Sequence, residues 1–150
     1  MSRIDFYHLK KQSLDEVLPK LLNKAYGAEK RVIVNTTPET VETVNAALWT
    51  YSDESFLPHG TKKDGFADEQ PIYITENADN ANAAQFLFLI NGAEVETEYA
   101  AQFERVFNIF DGNDEEALQQ ARRLWKSYKE AGFEVCYWQQ TDRGAWEQKA

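Results

Sequence analysis

The residues best suited to do chemistry in this 150-residue chain lie in one run, Gln119-Gln120-Ala121-Arg122-Arg123-Leu124-Trp125-Lys126-Ser127-Tyr128-Lys129-Glu130. Arg122, Lys126 and Lys129 recur at i, i+4 and i+7, a spacing that aligns their charges as one stripe on a helix. Trp125 falls between Arg122 and Lys126 on the helical wheel, which sets an aromatic face beside the guanidinium and ammonium groups. The combination suits recognition of an acidic peptide with an apolar end. Carboxylates meet the stripe, the apolar end packs on Trp125, and Arg122 can grip a terminal carboxylate with two parallel hydrogen bonds, which Lys cannot do. A plainer reading competes: Leu118, Ala121, Trp125 and Tyr128 also have core spacing, and basic residues beside a core stripe are commonly just solvated.

A second group lies in Leu48-Trp49-Thr50-Tyr51-Ser52-Asp53-Glu54-Ser55-Phe56-Leu57-Pro58-His59-Gly60. A predicted helix ends here in aromatics, and Phe56 and Leu57 then enter a Pro/His/Gly turn, where polar residues are usual. Trp49 and Phe56, with Leu57 and His59, therefore either staple the loop to the helix or form a contact surface.

Signs of catalysis are sparse. His8 and His59 are the only histidines and Cys136 the only cysteine, which leaves no metal-ligand spacing and no Cys/His pair. His59 beside Pro58 reads as a loop histidine satisfying backbone groups more readily than as a general base. Glu115-Glu116 and Asp53-Glu54 lie on predicted surfaces, where acidic pairs cap helices and solvate the chain. None of the seven glycines forms a GxGxxG or Walker A loop; His8-Leu9-Lys10-Lys11-Gln12-Ser13 follows the first strand instead. No catalytic residue, cofactor or metal is expected.

The elements that position these residues alternate. Ile4 to Leu9 reads as a strand, and Ser13 with Glu16 as a capping box for a helix carrying Leu14, Val17, Leu18, Leu21, Leu22 and Ala25 on one face. Pro19 predicts a kink or a break before Lys20, and Gly27 the end. Arg31 to Asn35 is a β-branched run of the kind buried between helices. Thr37-Pro38 opens a helix over about Glu39 to Trp49. Gly60 to Gln70 is polar and reads as the most mobile loop. Pro71 to Ile74 and Gln85 to Ile90 are the next strands, separated by an Asn/Ala-rich bend and followed by an Asn91-Gly92 turn. Tyr99, Phe103, Val106, Phe107 and Phe110 are spaced by threes and fours, which predicts a helix ended by Asp111-Gly112. Asp114 then caps a long helix to about Glu130, and Gly132 precedes a last strand from Phe133 to Trp138. Residues 142–150 have no clear period and read as a loose tail, with Trp146 a candidate to pack back on the domain. The alternation implies a single domain over 1–150, a three-layer α/β/α sandwich with a mainly parallel, Rossmann-like sheet.

Bulk properties narrow the partners. A chain 43% hydrophobic over 150 residues can bury one substantial core and is too short for a second domain. Its lone Cys136 sits in an apolar stretch, which suits a small buried hydrophobe in a reducing compartment. No stretch approaches the roughly 18 apolar residues a membrane span requires, and no signal sequence opens the chain, so a cytoplasmic setting without membrane contact is expected. The net charge of −9 opposes direct binding to nucleic acid, including single-stranded DNA on Trp125 and Trp138.

Ala47-Leu48-Trp49 with Ser55-Phe56-Leu57-Pro58-His59-Gly60, then Gln70-Pro71-Ile72-Tyr73-Ile74, Arg122 to Phe133 and Tyr137-Trp138-Gln139-Gln140 stand in the order found in the chi subunit of bacterial DNA polymerase III. The chain resembles that family over nearly its whole length. The resemblance implies an accessory, non-catalytic subunit of the replicative polymerase with a Rossmann-like fold, meeting DNA only indirectly. It implies that Arg122, Trp125 and Lys126, with Lys129, bind the acidic C-terminal tail of single-stranded-DNA-binding protein; Trp125 stands where the family often has Tyr. It also implies that Trp49 and Phe56, with Leu57 and His59, meet the psi subunit or another clamp-loader component, and that a helicase uses the same surface. The rival from another class is a small nucleotide-dependent enzyme working at the strand ends of the sheet.

Overall fold

The computed structural model describes residues 2–50 and 58–150. In chain order its main elements are β1 (Arg3–Leu9), α1 (Leu14–Gly27), β2 (Val32–Asn35), α2 (Val41–Trp49), β3 (Ile72–Thr75), β4 (Phe86–Leu89), α3 (Thr97–Ala100), β5 (Arg105–Asp111), α4 (Glu115–Glu130), β6 (Glu134–Gln140) and β7 (Trp146–Gln148). The strands form one sheet in the order β3-β2-β4-β5-β1-β6-β7. Every neighbouring pair is parallel except β6 with β7.

Period-two alternation divides each strand's side chains between two cores. Tyr7, Val32, Val34, Ile72, Ile74, Phe88, Phe107 and Ile109 pack with Val17, Leu18, Leu22, Val44 and Leu48 of α1 and α2. On the opposite face Ile4, Phe6, Ile33, Leu87, Leu89, Val106 and Phe110 pack with Tyr99, Ala100, Ala121, Leu124 and Tyr128 of α3 and α4. The result is the expected α/β/α sandwich around a mainly parallel sheet.

Local signals explain the helix starts. The Glu16 carboxylate accepts the Ser13 backbone N–H at 3.3 Å, and the Asp114 carboxylate accepts the Glu116 N–H at 3.1 Å. α4 runs to Glu130, as its cap and terminating glycine predict. Thr37-Pro38 opens a 3₁₀ turn, Pro38–Thr40, which leads into α2. The polar 60–70 segment folds as two 3₁₀ turns, Lys62–Asp64 and Ala67–Glu69. Asparagines order the 76–84 bend: Asn82 Nδ2 donates to Gln70 O at 2.8 Å and to Val32 O at 3.2 Å.

Three expectations are corrected. The helix read from Tyr99, Phe103, Val106, Phe107 and Phe110 is instead the four-residue α3 followed by strand β5. β5 lies between β4 and β1 and is covered on both faces, so Val106 to Phe110 are all buried. A run buried on every side loses strand alternation, and its residues can then match helical spacing by accident. The break allowed for at Pro19 does not occur: α1 continues through Pro19, which lies on its buried face, so packing against the sheet outweighs the one backbone bond that proline cannot donate. Finally, residues 146–148 are a strand rather than tail: β7 pairs with β6, and Trp146 meets Tyr7 edge-on at 5.0 Å.

Candidate partner-binding surfaces

Burial of Ala121, Leu124 and Tyr128 sets the rotation of α4 about its axis. That rotation leaves Arg122, Lys126 and Lys129 exposed, with Trp125 half-buried between them and the sheet. Trp125 packs on Phe6 with centroids 5.8 Å apart and stands edge-on to Tyr137, also at 5.8 Å. Of the three cations it is Lys129 that lies over the indole, its Nζ 5.0 Å from the ring centroid, in cation–π geometry. Trp125 thus packs on the core with one face and meets the exposed Lys129 with the other.

The adjacent arginines part company. Arg123 ion-pairs with Glu94, whereas Arg122, Lys126 and Lys129 form no ion pair among the described residues. Arg122 instead faces a polar pair that no local sequence signal announces. His8 Nδ1 and Tyr137 Oη are 2.6 Å apart, and the His8 ring lies 5.1 Å from Phe110. Burial raises the Tyr137 hydroxyl's pKa, and the nearby Arg122 charge opposes that rise. Burial lowers the His8 pKa, helped by Lys10 and Arg122 and opposed by Asp111, so the neutral imidazole is favoured. His8 and Tyr137 are 129 residues apart and meet only because β1 and β6 pair in parallel with Phe6 opposite Tyr137. Gly112 makes room for the ring: a Cβ there would stand 1.9 Å from two of its atoms.

The second group has a different foundation. Trp49 ends α2, is 50% exposed, and lies 4.5 Å from the ring of the buried His59. His59 thus supports Trp49 from beneath instead of presenting a face of its own. Its position is held by the neighbouring Gly60, which continues the sheet edge: Gly60 N–H donates to Ile72 O at 3.0 Å, and Ile74 N–H donates to Gly60 O at 2.9 Å. Phe56 and Leu57 lie outside the described residues. Sequence reasoning missed Phe66, 73% exposed and left-handed at φ 51°, in the loop beyond. An aromatic residue in that backbone region is the signal that structure supplies and composition does not.

The strand ends do not offer a phosphate cradle. The backbone N–H groups of Lys10, Lys11 and Gln12, which follow β1, all donate to the side-chain oxygen of Gln140, at 3.2, 2.8 and 2.9 Å. Gln140 is 1% exposed and returns a bond from Nε2 to the Gln12 side-chain oxygen at 2.8 Å. The nest that would receive a phosphate in a nucleotide-binding sheet is filled from within. Among the described residues no group of three His, Cys, Asp or Glu could hold a metal ion, and no helix is long and apolar enough to cross a membrane.

The sequence profile of the DNA polymerase III chi subunit family (HolC) matches residues 1–136. A relative from Rickettsia prowazekii (strain Madrid E), described as a probable DNA polymerase III subunit chi, is 34% identical over 117 residues, covering 74% of this chain and 71% of its own length. With its fold, its α4 sequence and these matches, the chain belongs to the DNA polymerase III chi subunit family, accessory subunits of the replication machinery.

Proposed function

We propose that this protein is a non-catalytic adaptor within the replicative polymerase. In this reading α4 holds the acidic C-terminal tail of single-stranded-DNA-binding protein, and the Trp49 surface joins psi or another clamp-loader component. A helicase competing for the Trp49 surface belongs to the same proposal. The single observation that carries the tail contact is the row of exposed cations Arg122, Lys126 and Lys129, without ion pairs among the described residues, set around half-buried Trp125 on a chain of net charge −9. Arg123, already paired with Glu94, is left out of the contact. Two weak contacts suffice for bridging, because tethering at one raises the effective concentration at the other.

The test is a titration into a fluorescent acidic peptide ending in Pro-Phe with a free carboxylate, at low and moderate salt. Salt-sensitive binding, lost with Arg122→Ala or Lys126→Ala and with an amidated peptide, is the expected result. Unchanged affinity in both variants would sink the assignment. The nucleotide-dependent rival is disfavoured by the filled nest at Lys10 to Gln12.

A further inference from the structure

Beneath the α4 stripe lies a polar pair outside the proposed row of cations, and its chemistry bears on the same site. Ile4 and Phe6 of β1 pack towards α4, and strand alternation puts His8 next on that face. His8 is 8% exposed and stands in register with Phe110 of β5 and Gln139 of β6. Its Nδ1 lies 2.6 Å from Tyr137 Oη, and the Tyr137 ring in turn meets Trp125 edge-on. One phenol thus touches both the imidazole and the aromatic platform of the stripe. A buried imidazole in an apolar row is costly when charged, and this one lies near Arg122, which has no ion pair among the described residues.

The charged groups acting on His8 are Lys10 beyond the end of its own strand, Arg122 of α4 and Asp111 at the end of β5, and Tyr137 of β6 is its other titratable neighbour. The two cations oppose a proton on the ring; Asp111 favours one. A carboxylate seated on Arg122 offsets that cation, so the ring takes a proton more readily when the site is filled. Linkage is reciprocal, and a protonated ring tightens the site by the same factor. The hydrogen bond supplies a second route. When the neutral ring carries its hydrogen on Nε2, Nδ1 accepts the phenolic hydrogen, whereas a proton added from solvent at Nδ1 makes it a donor to Oη. The hydrogen on Tyr137 is then free to reach a carboxylate beside Arg122.

We propose that His8 and Tyr137 belong to the tail site, and that a tail carboxylate on Arg122 is bound together with one proton on His8. The inference rests on the adaptor reading of α4. The acidic peptide ending in Pro-Phe should bind the whole protein about three- to tenfold more tightly at pH 5 than at pH 7.5, the size expected of one solvent-screened charge pair. The peptide's own carboxylates stay ionised above about pH 5. Calorimetry at pH 6 in two buffers of different ionisation enthalpy should show a net uptake of protons on binding. His8→Gln should flatten the pH dependence and abolish the uptake. Tyr137→Phe, which keeps a ring beside Trp125, should reduce both, and it keeps the test sound if His8→Gln does not fold. Binding at pH 7.5 with no gain at pH 5, binding without proton uptake, or a gain undiminished in either variant that folds would each overturn this inference and leave the adaptor reading standing. No binding at either pH would overturn both.

Discussion

Trp125 and Trp49 are both partly exposed tryptophans on helices that cover the sheet, yet different parts of the fold hold them. Trp125 sits in the middle of the sixteen-residue α4 and rests on Phe6 and Tyr137 of two neighbouring strands. Trp49 ends the nine-residue α2 and rests on His59 of a loop. The first lies within one helix that rests on strands, with fixed spacing between its charges; the second joins a helix end to a loop residue held at the sheet edge by Gly60. Preformed surfaces lose less conformational entropy on binding, which is why the proposed adaptor assigns the short tail to α4.

The comparison can be broken most severely from beneath. Tyr128 is 1% exposed and packs on Phe6 and Phe133, so Tyr128→Ala should cost about 3–5 kcal/mol in a denaturant titration and take the α4 surface with it. Trp49→Ala, at a half-exposed position, should cost under about 1.5 kcal/mol and leave tail-peptide affinity within about twofold. Similar stability losses for the two would erase the distinction between them.

Next in size is the contrast within the Arg122-Arg123 pair. Arg122→Ala should weaken tail binding by about 10- to 100-fold, the range for charge-assisted hydrogen bonds, while Arg123→Ala changes it by less than about threefold. A fluorescence titration of both variants decides it, and equal losses would show that the stripe acts only through net charge. The smallest effect concerns His8. Its pKa is lowered in the folded state, so the unfolded chain takes up that proton first. The associated stability is complete above the ordinary histidine pKa of about 6.5 and is lost as the pH falls below it. Unfolding free energies at pH 7.5 and 5.5 should therefore differ, with a shallower slope in His8→Gln; an unchanged slope would place the dependence on other groups.

Legibility in the sequence followed how local each feature is. The limits of α4, its cap at Asp114 and its basic stripe lie within one continuous segment, and their spacing is a property of any helix. The alternation of strands and helices was readable for the same reason. β5 was not, because a strand enclosed on both faces carries no polar alternation, and its apolar residues Val106, Phe107 and Phe110 fit helical spacing as well. β7 carries too few residues to show a pattern, and pairing with β6 makes it a strand.

By itself the sequence determined the α/β class, the acidic balance, the stripe Arg122-Lys126-Lys129 and the family resemblance, because each depends on residues near one another in the chain or on composition. Only the tertiary structure decided that Arg123 is tied to Glu94 while Arg122 is left to face His8 and Tyr137. It likewise decided that Gln140 fills the nest after β1. Those facts depend on sheet register and helix rotation, which bring together residues far apart in sequence, and no local periodicity encodes them.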